Sequence, residues 1–170
     1  MRVALFLALA CAVNPVAAQS PNPQIDYPGF QRLAAEVSPH RQTRLITHAR
    51  FREMARDRRV LILDARSREA FAEGHIEGAV NLPFTDFTVE SLAATIGGNP
   101  DRTILIYCNN NFRNNVNPVP RKLITVALNI QTFINLVGYG YRNVYELNEV
   151  VDFNDPAVRW VRAQPLRRNG

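Results

Sequence analysis

Cys108 is the residue of this sequence with the strongest potential for nucleophilic chemistry. It directly follows the apolar run 103–107 and begins a polar loop whose sixth residue is Arg113. A loop that leaves a strand can curl so that successive backbone N–H groups point at one centre, and such a nest favours the charged form of a cysteine. The thiolate would be a nucleophile at neutral pH. The same residues also fit an ordinary polar loop with a half-buried, inert cysteine.

The residues that follow Cys108 suit a tight cradle. Asparagine tolerates left-handed backbone conformations that most residues avoid. The guanidinium of Arg113 would favour a thiolate or a bound oxyanion. The candidate binding loop therefore consists of Asn109, Asn110, Asn111, Phe112 and Arg113.

Short apolar runs alternate with helical patterns along the rest of the chain. The pattern predicts strands over 60–63, 79–82, 103–107 and 143–147, and helices over 47–57, 67–72, 88–96, 120–137 and 155–163. This alternation indicates an α/β fold with a mostly parallel sheet covered on both faces. Ligands bind such sheets at the carboxyl ends of the strands, where Asp64 and Cys108 are expected.

The first residues are typical of a secretory signal peptide rather than of the fold. Met1 and Arg2 precede an unbroken apolar run over 3–13, and small residues precede a cleavage site after Ala18. The run is too short to span a bilayer. Processing as a lipoprotein at Cys11 fits less well, because the apolar run before Cys11 would be very short. We therefore expect an exported, periplasmic protein with an N-terminal arm over 19–44. The arm is expected to be extended over 19–40, apart from one helical turn around 30–37.

Composition narrows the possible classes of protein. The chain has 170 residues, of which 46% are hydrophobic and 21% charged, so a disordered chain is excluded and one domain is expected. Two cysteines cannot form a dense disulfide scaffold. After removal of 1–18 only the Cys108 thiol remains, which marks it as potentially reactive.

The formal net charge is +5, and 41–59 is rich in arginine. This stretch fits a solvated helix face, and an exported protein is not expected to bind nucleic acid.

Several segments resemble the rhodanese-like sulfurtransferase domains. They are ILDAR at 62–66, FAEGHIEGAVNLP at 71–83, the strand 104–108 that leads to the cysteine, GYGYRNVYEL at 138–147 and WVRAQP at 160–165. The resemblance covers 45–166 and leaves 167–170 as a tail. It implies a three-layer α/β/α fold with a mostly parallel central sheet of about five strands.

The resemblance also implies a chemistry and a set of roles. Cys108 would take a sulfane sulfur from a thiosulfate- or polysulfide-type donor and pass it to a thiol or cyanide acceptor. Asp64, Arg66 and His75 would support the site, and neither cofactor nor metal is expected. A loop of six residues from Cys108 to Arg113 is associated in the family with sulfur transfer, and a loop one residue longer with phosphatases.

Two further functions remain open. The irregular stretch 114–120 separates Cys108 from the next helical pattern, and prolines bias the residues before them away from helix. This departure from the family pattern is the reason to consider a catalytically silent binding module. A cysteine phosphatase is the other alternative, and the loop length argues against it.

Overall fold

The computed structural model describes residues 22–162, and these residues form an α/β fold around a five-stranded sheet. The helices are α1 (Tyr27–Gln42), α2 (His48–Met54), α3 (Arg68–Glu73), α4 (Val89–Ile96) and α5 (Leu128–Gly138). The strands are β1 (Leu45–Ile46), β2 (Leu61–Asp64), β3 (His75–Ile76), β4 (Ala79–Asn81), β5 (Ile104–Tyr107), β6 (Val144–Leu147) and β7 (Trp160–Val161). The predicted signal peptide, Cys11 and the predicted tail 167–170 lie outside the described residues.

The main sheet is parallel throughout and has the strand order β1-β6-β5-β2-β4. The expectation of a mostly parallel sheet of about five strands is confirmed. β2 and β5 are buried along their whole length, because their continuous apolar sequences face helices or loops on both sides. Asp64 is paired in register with Tyr107, so Asp64 and Cys108 lie at the same edge of the sheet.

Alternating side chains divide the interior into one core on each face of the sheet. Leu63 and Ile106 point to a core shared with α1, α4 and α5, where Phe133 is fully buried. Ile62, Leu105, Tyr107 and Phe112 point to the opposite core, which also holds Phe51 of α2. This two-sided burial is what the period-two geometry of a strand requires.

The three helices predicted to begin at 47, 67 and 88 each start with a capping side chain. The side chains of Thr47, Ser67 and Thr88 each accept a hydrogen bond from a backbone N–H in the first turn of α2, α3 and α4. Gly97 ends α4 with a φ of +85°, a conformation that favours glycine.

The arm was expected to be extended over 19–40 apart from one helical turn around 30–37. This expectation is wrong where the chain is described, because α1 is a helix of 16 residues. Asp26 accepts a hydrogen bond from the Gly29 N–H at its start, and Pro28 stands in the first turn, where proline is tolerated. Leu33 and Val37 pack into the core beside α5. Pro39 lies inside the helix and obscures the helical pattern in the sequence.

Two predicted helices differ from the structure. α5 begins at Leu128 rather than at residue 120, and the preceding stretch contains only a 3₁₀ turn over Ile124–Val126. The final helix is a single 3₁₀ turn, Pro156–Val158, followed by β7, which pairs antiparallel with β3. Within 22–162 no helix combines the length and apolarity that crossing a membrane would need.

Candidate active site

Cys108 lies immediately after β5, at the carboxyl edge of the sheet. It precedes a 3₁₀ turn over Asn109–Asn111, and its residue surface is 1% exposed. The Asn111 carboxamide accepts a hydrogen bond from the Cys108 N–H at 2.9 Å, and this bond fixes the cysteine backbone at the start of the turn. The strand and the turn together therefore set the direction of the thiol.

Three backbone N–H groups lie near the Cys108 sulfur and lower the pKa of its thiol. Two belong to Asn110 and Asn111 in the 3₁₀ turn, and the third belongs to Asn129 in the first turn of α5. The loop after β5 thus supplies two of these N–H groups and the start of α5 the third. Donors in the first turn of a helix are free of helical partners, so the start of α5 can stabilise negative charge on sulfur.

Burial has the larger effect on the thiol. Loss of solvent raises the pKa of Cys108 above its ordinary value, the three N–H groups lower it, and the carboxylate of Glu146 raises it again. The net direction is upward, so the resting thiol is mainly protonated at neutral pH. The expectation of a thiolate in the resting protein is therefore wrong, because burial outweighs the N–H groups.

The asparagines of the loop hold the backbone in place. The Asn111 carboxamide also accepts a hydrogen bond from Asn129 and donates to the carbonyls of Leu147 and Glu149. The carboxamide of Asn110 makes a reciprocal pair of hydrogen bonds with the backbone of Lys122. Hydrogen bonds from side-chain amides therefore stabilise this loop, whose irregular backbone makes few hydrogen bonds of its own.

The remaining loop residues do not converge on the sulfur. Asn109 is buried and lines a different cavity. Phe112 is fully buried in the core and meets Trp160 edge-on, with ring centroids 4.9 Å apart. Arg113 is exposed, and its N–H donates to the carbonyl of Val151.

The charge of Arg113 acts on Asp152 instead of on the thiol. A hydrogen bond from the Asn114 carboxamide is the main cause that lowers the pKa of Asp152, and the nearby Arg113 charge lowers it further. Two residues of the predicted binding loop, Phe112 and Arg113, are therefore not brought to Cys108.

Asp64 and Arg66 form a buried ion pair beneath the same edge of the sheet. The Arg66 guanidinium donates to both Asp64 carboxylate oxygens and to the carbonyls of Gly74 and Pro118. The Tyr107 hydroxyl donates to Asp64 at 2.5 Å. Neither member of the pair lines the cavity at Cys108. Through the carbonyls of Gly74 and Pro118, Arg66 instead links the end of β2 to the residue before β3 and to the stretch before α5.

His75 also lies away from the thiol. Its ring stacks on Phe71 at a centroid distance of 3.8 Å, and its Nδ1 donates to the Phe71 carbonyl at 2.8 Å. The carbonyl can only accept, so the proton belongs on Nδ1. These contacts join α3 to β3.

A cavity of about 240 Å³ opens onto Cys108. Its wall includes the ion pair between Arg41 of α1 and Glu146 of β6, joined by hydrogen bonds of 2.7 and 2.6 Å. Aliphatic side chains complete the wall, among them Ile124, Ile130, Leu147 and Val150. Arg41, Glu146 and Asn129 were not foreseen from the sequence as site residues. Of these three, only Glu146 could have been noticed in the sequence, because it is a charged residue within the predicted strand 143–147.

A larger cavity of about 630 Å³ lies on the other side of the loop. Arg66, Arg68, Asp86, Asn109 and Lys122 contribute to its lining, and Cys108 does not. The smaller cavity is therefore the one that reaches the nucleophile. Among residues 22–162 no group of three or more His, Cys, Asp or Glu side chains is placed to hold a metal ion.

Comparison with known proteins identifies a family. The family model of the rhodanese-like domain matches residues 47–149. A search of curated proteins finds no significant match. The matched region begins at the cap of α2 and ends just beyond β6, so it includes Cys108 and Glu146 but not Arg41.

Solved structures are similar to this chain at low sequence identity. The solution structure of the rhodanese-like domain of the Alr3790 protein from Anabaena sp. matches with a TM-score of 0.50 and 17% identity, over 75% of this chain and 86% of that one. A thiosulfate sulfurtransferase from Pseudomonas aeruginosa matches with a TM-score of 0.49 and 16% identity, over 79% of this chain and 23% of that one. A variant of EanB in complex with hercynine matches with a TM-score of 0.44 and 22% identity, over 61% of this chain and 23% of that one.

Proposed function

Because the chain belongs to the rhodanese-like domain family, we propose that it is an exported sulfurtransferase or persulfide carrier that uses Cys108. The sulfur would come from a thiosulfate- or polysulfide-type donor and would leave to a thiol or to cyanide. The observation that carries this proposal is the presence of three backbone N–H groups near the sulfur at the end of an open cavity. Such donors stabilise an anion on sulfur at the moment when it forms or departs.

The two half-reactions balance without a cofactor. In the first, the Cys108 thiolate attacks the outer sulfur of a donor R–S–SH, a new S–S bond forms, the donor S–S bond breaks, and R–S⁻ leaves. In the second, the carbon of cyanide attacks the outer sulfur of the persulfide. A C–S bond forms, the S–S bond of the persulfide breaks, its proton is released to water, thiocyanate departs, and the thiolate of Cys108 returns.

The raised pKa of Cys108 does not oppose this chemistry. A thiol with a high pKa is seldom ionised at neutral pH, but its thiolate is intrinsically the stronger nucleophile. Burial therefore lowers the rate of the first step, because it lowers the fraction of Cys108 that is ionised. The N–H groups stabilise the thiolate once it forms.

Export belongs to the same proposal and rests on the sequence over 1–18. Cleavage after Ala18 would give a mature protein that begins at Gln19 and has Cys108 as its single thiol. N-terminal sequencing of the protein from a periplasmic extract tests this point. A start at Gln19 supports export, and an intact Met1 in the cytoplasmic fraction contradicts it.

A catalytically silent binding module is the second candidate function. It is favoured by the position of Arg113, which faces Asp152 rather than the thiol, and by the low exposure of Cys108. It predicts that Cys108→Ser retains partner binding and that no sulfur donor gives turnover.

A sulfur-transfer assay separates the two candidates. The protein is incubated with a hydropersulfide donor and cyanide, and thiocyanate is measured over time against Cys108→Ser as the control. Thiocyanate formation that exceeds the control supports the sulfurtransferase. Equal rates for the two proteins contradict it and leave the binding module.

A further inference from the structure

The cavity at Cys108 has an unusual charge for a site that handles sulfur anions. Arg41 is the one cationic side chain of residues 22–162 that lines it, and two of its three donor nitrogens, Nε and one Nη, donate to the Glu146 carboxylate. Glu149 also lines the cavity, and its carboxylate accepts the backbone N–H of His48 at 2.7 Å, at the start of α2. The lining thus carries one guanidinium and two carboxylates, so it has an excess of negative charge.

The charged side chain that acts on the thiol is an anion as well. The Glu146 carboxylate raises the pKa of Cys108, and the side chain of Glu146 is only 7% exposed. Coulomb repulsion in such a buried setting acts more strongly than at the surface. Arg113, the cation that the sequence offered for an anionic substrate, lies beside Asp152 instead.

The mouth of the cavity is aliphatic. Ile124 and Val150 line it and are 72% and 57% exposed, so apolar side chains meet whatever approaches the sulfur. Burying them against a carbon-bearing ligand would be favourable, whereas a sulfonate group would lose its hydration without gaining a cation.

We infer that Cys108 receives sulfur from carbon-bearing hydropersulfides, whose S–SH group carries at most one negative charge, and that its cavity discriminates against the thiosulfate dianion. The selection follows from Glu146 and Glu149 on the polar wall and from Ile124 and Val150 at the mouth. This inference rests on the proposed function and names the donor class for the same site. Thiosulfate would have to release sulfite, a second dianion, beside two carboxylates, whereas a hydropersulfide releases a thiolate that takes up a single proton.

A pair of alkylating reagents tests the charge selection apart from sulfur transfer. Iodoacetamide is neutral and iodoacetate is anionic, and both alkylate the same thiolate. The measurement is the ratio of their rate constants at Cys108 in the Cys11→Ser protein, compared with the ratio at a neutral model thiol. We expect the protein ratio to exceed the model ratio by about threefold or more. An equal or smaller ratio would overturn the inference.

Two variants assign the effect to its residues. Glu149→Gln removes an exposed charge without disturbing the core, and Glu146→Gln keeps an oxygen that can accept from Arg41. Each substitution should move the reagent ratio towards that of the model thiol. An unchanged ratio in both variants would contradict the role given to these carboxylates.

The donor experiment separates this inference from the proposed function. The Cys11→Ser protein is treated with thiosulfate or with the hydropersulfide of β-mercaptoethanol, and addition of one sulfur atom is followed by intact mass. A faster reaction with the hydropersulfide, together with a larger gain for thiosulfate in Glu146→Gln or Glu149→Gln, supports the inference. Equal or faster reaction with thiosulfate overturns the inference and leaves the proposed function intact. Absence of an adduct with either donor overturns both.

Discussion

The pKa of Cys108 results from opposing effects of burial, Glu146 and three backbone N–H groups. Burial is the largest of these, and the net direction is upward. We therefore predict that the iodoacetamide labelling rate of Cys108 rises with pH to a midpoint above about 8.5, the ordinary value for a cysteine. The same chain unfolded in urea is the control and should show the ordinary midpoint. A folded-state midpoint below the unfolded one would show that the N–H groups outweigh burial.

Asn111 is the side chain on which the order of the loop depends most. Its carboxamide makes four hydrogen bonds, which hold Cys108, Asn129 and the end of β6 together. We predict that Asn111→Ala lowers the free energy of unfolding by about 3 kcal/mol, because buried polar groups that lose a partner cost about 1–3 kcal/mol each. Urea denaturation measures the change.

A matched control for Asn111 lies at the surface. Asn154 is exposed, and its Asn154→Ala variant should change the stability by less than about 0.5 kcal/mol. Similar losses in both variants would mean that the network around Cys108 does not stabilise the loop.

The sequence predicts single residues best where the signal is local. Thr47, Ser67 and Thr88 were expected to begin helices and do so, because a capping hydrogen bond spans three residues. Cys108 was expected at a strand end and lies there. The inward turn of Phe112 was not foreseen, because it depends on aromatic partners such as Trp160, far along the chain.

At the scale of elements, α1 is the largest difference from the sequence-based expectation. The helix supplies Arg41 to the wall of the cavity, although it lies before the region that the family model matches. Its partner Glu146 is 105 residues away, and no local pattern in a sequence reports a pairing at that distance. A helix with interior Pro39 and a polar surface depends on its packing against α5 rather than on its own propensity.

Arg41 permits a direct test of how α1 is held. We predict that Arg41→Ala lowers the free energy of unfolding by about 3 kcal/mol, because it leaves the buried Glu146 carboxylate without its partner. The measurement is urea denaturation followed by circular dichroism. Arg32→Ala on the same helix is the control. Its pair with Asp26 is exposed, so its loss should cost at most about 1 kcal/mol. Equal losses would contradict a special role for the Arg41–Glu146 pair.

At the scale of the whole molecule, one sheet joins two cores. Phe133 belongs to the core beside α1, α4 and α5, and Trp160 packs against the opposite core. Trp160 is the only tryptophan of the chain, so its fluorescence reports on one side alone. β2 and β5 contribute side chains to both cores, which predicts that the two unfold together.

A core substitution tests this cooperativity. Phe133→Ala should lower the free energy of unfolding by about 3–5 kcal/mol and should shift the fluorescence and circular dichroism transitions equally. Phe30→Ala, at an exposed position of α1, serves as the control and should move both transitions little. A shift in circular dichroism without a shift in Trp160 fluorescence would show that the two cores unfold independently.

The parallel sheet could be predicted because its strands are continuous apolar runs. The stretch 113–127 could not, because its course is set by contacts between distant parts of the chain. Asn110 binds Lys122, and Asn114 binds Asp152. The same stretch carries the exposed Ile124 to the mouth of the cavity, so the least predictable part of the fold determines access to the thiol.

The central claim is that Cys108 accepts a sulfane sulfur, and intact-mass spectrometry tests it most directly. The Cys11→Ser chain, in which Cys108 is the single thiol, is incubated with the hydropersulfide of β-mercaptoethanol and then separated from the donor. We predict a gain of one sulfur atom that a thiol reductant reverses and that is absent when Cys108→Ser is added to the same chain. No gain in mass, or an equal gain in the chain without Cys108, would contradict the proposed function.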